Sequence, residues 1–134
     1  MIVATTVIQS AFMLGGVAAL RAHLDRADGL SHLQATLVLA VFVIWLFFAT
    51  ILQVTVWAVL YRLLGALPNF EDALYFSTVT YATLGYGDIT LVEKWRLLSS
   101  FEAANGLIMF GWSTALVFVA VQWTFGRGDG PALH

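Results

Sequence analysis

Six consecutive residues, Thr83-Leu84-Gly85-Tyr86-Gly87-Asp88, hold the most distinctive chemistry in the chain. The glycines on either side of Tyr86 have no Cβ to forbid positive φ, so successive carbonyls can point the same way instead of alternating as they do in a strand. Carbonyls from Thr83, Leu84, Gly85 and Tyr86, with the Thr83 hydroxyl, then make a row of hard oxygen ligands. Where four such rows meet on one axis they form stacked cages that can replace the hydration shell of a bare monovalent cation. The tripeptide Gly-Tyr-Gly by itself also fits a tight turn or a phosphate loop. A dinucleotide fingerprint, however, needs a third glycine, a strand before it and a charged partner further on in a soluble fold, and this sequence offers none of these.

The elements that must position this row are membrane elements. Of the 134 residues 60% are hydrophobic and only 10% charged, with a mean hydropathy of +0.87, which lies outside the range of soluble domains. The net charge of −2, without a basic block, speaks against nucleic acid and against a polybasic lipid-binding tail. No cysteine is present, so disulfides and thiolate metal sites are excluded. The length fits one domain, residues 1–134.

Residues 1–20 are apolar, softened by Thr5, Thr6, Gln9 and Ser10, and are long enough to cross a bilayer. A signal peptide needs a basic first segment, which is missing, so a retained N-terminal helix is expected. Its Gly15-Gly16 pair suits either close helix packing or a kink. Residues 21–34 hold Arg21, His23, Asp25, Arg26, Asp28 and His32 and read as a water-facing polar connector. Its histidines fit a pH sensor or, more ordinarily, solvated surface groups. Residues 35–62 form the longest apolar run, broken only by Thr36, Thr50, Gln53 and Thr55. Gln53 there could bind a ligand within the membrane or, more commonly, a neighbouring helix. Trp57, Tyr61 and Arg62 near its end match an interfacial belt.

Pro68-Asn69 breaks the pattern, and Asn69 followed by Glu71 and Asp72 predicts an N-cap with acids in the first turn. The helix expected over residues 69–82 is too short to cross, so it should dip into the membrane and return through the extended stretch 83–88. Re-entrant backbone survives only when it is buried in protein or lines a water path, which calls for an oligomer. The C-terminal end of such a helix would also favour a cation beyond it. A last full span is expected over residues 97–125, with Ser113 and Thr114 facing a water cavity, and then a flexible tail over 126–134. Glu102 lies within that span, where a carboxylate needs a partner. Contacts to the back of the short helix, at Thr78 or Thr80, would supply one, and reaching the outer interface is the alternative.

Thr-Leu-Gly-Tyr-Gly-Asp resembles the selectivity filter of potassium channels, with Leu84 where valine or isoleucine is more usual. The likeness to two-helix potassium-channel pores runs from about Leu37 to Gln122. It takes in the outer helix, Ala73-Leu74-Tyr75-Phe76-Ser77 of the pore helix, the filter, Trp95 and a glycine-bearing inner helix. The resemblance implies an all-α membrane protein with outer helix, re-entrant pore helix, extended filter and inner helix, here with one additional N-terminal transmembrane helix. It further implies a homotetramer in the lipid bilayer of the plasma membrane, specifically a prokaryotic inner membrane. Potassium ions would be the permeant ligand, held at Thr83, Leu84, Gly85 and Tyr86 in a filter completed by Gly87. Asp88, hydrogen-bonded by Tyr75, would support the filter together with Glu102. Gly106 and Gly111 would act as hinges of the inner helix, with helix packing the competing role. No cofactor and no enzymatic chemistry are implied, and the residues agree, since no nucleophile with its base, no paired carboxylates and no metal-ligand spacing is visible.

The filter mouth of the family faces outward, which would set Met1 outside and the connector inside. Basic residues leave a tie, with Arg21, Arg26 and Arg127 on one side and Arg62, Lys94 and Arg96 on the other. The chain departs from well-known bacterial members at Val79, where they carry a glutamate, and at Ala82, where threonine is common. These departures bear on gating and filter stability. Two competing functions share the same features, a less selective cation channel and a non-conducting membrane subunit.

Overall fold

Residues 1–26 and 31–126 are described by the structure, a computed structural model, and among them the chain forms four α-helices and no strand. These are α1 (Ile2–Arg26), α2 (His32–Leu63), α3 (Phe70–Tyr81) and α4 (Arg96–Phe125), with a 3₁₀ turn at Glu93–Trp95 leading into α4. Helices α1 and α2, and α4 together with that turn, are long and apolar enough to cross a membrane. α3, at 12 residues, rises only about 18 Å and cannot.

Local chemistry sets the helix ends. α2 starts at His32, not at residue 35, because Ser31 and Gln34 form a capping box: Ser31 Oγ accepts from the Gln34 N–H at 3.3 Å and Gln34 Oε1 accepts from the Ser31 N–H at 3.0 Å. α2 stops in a Schellman arrangement, with Gly65 at φ 63° and the Ala66 N–H donating to the Tyr61 carbonyl at 2.9 Å. Asn69 caps α3, its side-chain oxygen accepting from the Asp72 N–H at 2.7 Å, with Glu71 and Asp72 in the first turn.

The first helix runs through Arg26, beyond the expected end at residue 20, so the expected connector over 21–34 is in large part helical. The reason is packing: Leu20 and Leu24 are buried with Phe42, Leu46 and Ala120, and the Arg21 guanidinium sits over the Trp123 ring at 4.4 Å. The remainder of the connector, 27–30, lies outside the described residues, as does the expected tail past Gly126.

Antiparallel α1 and α2 meet through Gly16, where a Cβ would come within 2.8 Å of the Trp45 ring, and the Trp45 indole N–H donates to the Phe12 carbonyl at 2.9 Å. Helix α1 runs unbroken through the glycine pair, and Gly16 serves close packing against Trp45. α3 is wedged between α2 and α4 around a core of Trp57, Tyr61, Ala73, Phe76, Tyr81 and Met109.

Candidate functional site

The end of α3 hands the chain directly to the ligand row. The N–H groups of Ala82, Thr83 and Leu84 donate to the carbonyls of Thr78, Thr80 and Val79, closing the helix, and the backbone then runs free of helix from Thr83 to Asp88. Thr83, Gly85 and Gly87 have φ of 58°, 57° and 79°, while Leu84 and Tyr86 between them are not left-handed. This alternation in the sign of φ allows successive carbonyls to turn toward one side, an arrangement that the two glycines make cheap. Among the described residues no hydrogen bond engages the carbonyls of Thr83, Leu84, Gly85 or Tyr86. The side chains of Leu84 and Tyr86 are 54% and 67% exposed within the single chain.

At the outer end of the row, the Tyr75 hydroxyl donates to Asp88 Oδ2 at 2.6 Å, and Asp88 Oδ1 accepts from the Ile89 N–H at 3.1 Å. The phenol beside it holds the Asp88 carboxyl below the usual carboxylate range, and the same bond raises the Tyr75 phenol above its own. An open cavity of about 590 Å³ lies between this loop and the first turns of α4, bordered by Tyr75, Thr83, Asp88, Ser99 and Ala103.

Behind α3 most of the buried polar groups are paired inside the chain, the Trp57 indole N–H being an exception. Glu102, fully buried, accepts from the Tyr61 hydroxyl at 2.5 Å and from Ser77 Oγ, which also lies 2.9 Å from the Val54 carbonyl. Helices α2, α3 and α4 are thereby tied at one point. The expected partners Thr78 and Thr80 are not the ones used. Both follow Ser77 on α3, and the Thr78 hydroxyl turns back to the Leu74 carbonyl at 2.7 Å. Trp57 and Tyr61 likewise do not form an interfacial belt, because both are buried against α3. Gly106 meets the Tyr81 carbonyl so closely that a Cβ would overlap it, while a Cβ on Gly111 would meet nothing within 4 Å. The first of the two glycines therefore has a packing role, allowing α4 to approach the end of α3. Ser113 faces α1, accepting from Gln9 Nε2 at 2.9 Å, so it is not turned toward a water cavity. The Thr114 hydroxyl returns to the Phe110 carbonyl at 2.9 Å.

The sequence does not show the backbone conformation of Thr83 or which two hydroxyls meet Glu102. Positive φ at Thr83 is rare for a β-branched residue and leaves no signature in residue type. Ser77 and Tyr61 as partners of Glu102 were in principle visible, since a buried carboxylate demands donors, but only the crossing of three helices says which ones.

A short non-crossing helix, followed by an extended row of free carbonyls and held between two full spans, defines a pore-loop membrane protein. A family described as "Ion channel" matches residues 40–122, from within α2 to near the end of α4, which is more than half of the chain. The chain therefore belongs to this ion-channel family, and it is a multi-pass membrane protein in which α1 lies wholly before the matched residues. No curated protein and no solved structure matches it significantly.

Proposed function

We propose that the chain is one subunit of a homotetrameric potassium channel, in which four copies of residues 83–87 line a common axis and pass ions without covalent chemistry. The observation that carries this reading is the alternation of φ at Thr83, Gly85 and Gly87, together with four carbonyls in that stretch that have no hydrogen-bond partner among the described residues. In hydrocarbon such groups are costly unless protein or ions satisfy them, and three further copies with dehydrated cations between them do so. Exposed Leu84 and Tyr86 argue the same way, since a re-entrant loop must bury its outer side against something. Potassium is the cation whose hydration shell a stack of carbonyl cages replaces. Thr83 supplies the innermost site through its hydroxyl and carbonyl, and the C-terminal end of α3 adds a negative potential on that side.

The bond from Tyr75 keeps Asp88 ionised at the mouth and ties the outer end of the row to α3. Potassium-dependent flux into liposomes loaded with purified chain, run beside native mass spectrometry, tests the proposal. Flux carried by a four-chain species supports it. A conducting monomer or dimer, or a four-chain species that carries no flux, overturns it.

A further inference from the structure

α1 precedes the matched residues 40–122 yet sends polar side chains deep into the pore unit. Thr5 and Gln9 are 0% and 1% exposed, and in a membrane interior each polar group has to find its partner within the protein. Asn105 Nδ2 on α4 donates to Thr5 Oγ1 at 2.9 Å, which docks the start of α1. One turn further on, Gln9 Nε2 donates to Ser113 Oγ at 2.9 Å, and Gln9 Oε1 accepts from Gln53 Nε2 on α2 at 2.8 Å. Gln53 in turn accepts through Oε1 from the Tyr81 hydroxyl. Each amide thus receives on its oxygen and donates from its nitrogen, giving one directional chain from Tyr81 through Gln53 and Gln9 to Ser113, in which each bond polarises the next.

The chain starts at the last residue of α3, two positions before Thr83 with its φ of 58°. Tyr81 is held in two other ways, its carbonyl against Gly106 and its ring edge-on to Phe110 at 5.8 Å. A left-handed β-branched residue persists only where its surroundings over-determine it. Here those surroundings are the anchored end of α3.

We infer that Gln9 and Gln53 are positioning residues through which the N-terminal helix fixes Tyr81, and so sets how long the filter stays in its conducting form, not which ion it passes. The inference rests on reading residues 83–87 as a potassium filter. Without the relay one of the three holds on Tyr81 is lost, the end of α3 turns more readily, and Thr83 relaxes more often to negative φ, taking its carbonyl and hydroxyl off the axis. Ion preference comes from the carbonyl rows of Leu84, Gly85 and Tyr86, which the relay does not touch.

The test compares the full chain with Tyr81→Phe, Gln9→Leu and the double variant, by single-channel recording in planar bilayers and by hydrogen exchange of the peptide covering Gly85 to Gly87. Tyr81→Phe removes one oxygen and leaves the ring contacts in place, and Thr5 still docks α1 in Gln9→Leu. Tyr81→Phe, which loses one hydrogen bond, is expected to shorten conducting bursts about three- to tenfold, and Gln9→Leu, which loses two, at least as much, each speeding filter exchange comparably. Reversal potentials should not move, and the double variant should resemble the stronger single one. Unchanged exchange and bursts in both single variants, or effects that multiply in the double variant, overturn the relay. If Gln9→Leu fails to assemble, Gln53→Leu takes its place in the cycle with the same expectations. A wild-type chain that carries no potassium current would defeat the proposed function, whereas the exchange comparison would still decide for or against the relay.

Discussion

On the side of α3 that faces α2 and α4, Ser77 and Tyr81 are buried and their hydroxyls are paired within the chain, as is the carboxyl of Glu102. The loop that leaves its C-terminal end is the opposite. Leu84 and Tyr86 are exposed, and four carbonyls have no hydrogen-bond partner among the described residues. The contrast teaches that one chain completes the scaffold but not the site. Membrane-buried polar groups behind the loop act as fixed joints between helices, while on the proposed function those in the loop are the ones left for ligands from outside the chain.

The largest expected effect comes from cutting the joint. Glu102→Ala leaves the buried Tyr61 hydroxyl without an acceptor and opens a cavity among α2, α3 and α4, so it should cost about 2–4 kcal/mol of stability, read as a drop in thermal midpoint in detergent. Glu102→Gln should be much milder. Its amide keeps an acceptor for Tyr61 and can donate to Ser77, whose own proton then goes to the Val54 carbonyl. Equal losses in the two variants would show that the joint depends on charge and not on pairing.

Next in size is Gly106→Ala, whose methyl would overlap the Tyr81 backbone and push α4 away from the end of α3, at about 1–3 kcal/mol. Retention of full stability would mean that the two helices are not in such close contact.

On the open side, Tyr75→Phe removes the donor that lowers the Asp88 pKa. A depressed folded-state value means that the bond's contribution is complete above the ordinary carboxylate range and is lost as pH falls through the lowered value. In Tyr75→Phe the Asp88 carboxyl should titrate at higher pH, checked by carboxyl carbon NMR, and the acid-dependent part of the loop's stability should shrink to what the Ile89 N–H still supplies. An unmoved titration would show that the two groups act independently.

The smallest effect is expected at Gly111, where nothing among the described residues lies within 4 Å of a new methyl. Gly111→Ala should be neutral or gain up to about 1 kcal/mol from helix propensity. If it slows channel opening without changing thermal stability, the hinge role suggested by family resemblance belongs to this position.

Much of this division can be read from residue order. Long apolar runs give the three spans, Pro68-Asn69 gives the start of a helix too short to cross, and Gly85 and Gly87 give the backbone freedom of the loop. Those signals are local, carried by the residues that show them. What stayed hidden is relational. Gln53 reads as one polar residue in an apolar helix, and only the packing of α1 against it places Gln9 on one side and Tyr81 on the other. Arg21 reads as the start of a polar connector, but the Trp123 ring below it lets the helix continue. Ser113 looked like a pore-facing hydroxyl by its place in α4, and the added N-terminal helix claimed it instead.

The most direct test of the open side is the bi-ionic reversal potential of the purified full-length chain in planar bilayers, with potassium on one face and sodium on the other. Four aligned rows of carbonyls from Thr83 to Tyr86 predict a reversal potential set almost entirely by potassium. A value near zero, meaning comparable sodium and potassium permeability, would contradict the account and leave a less selective cation pore in its place.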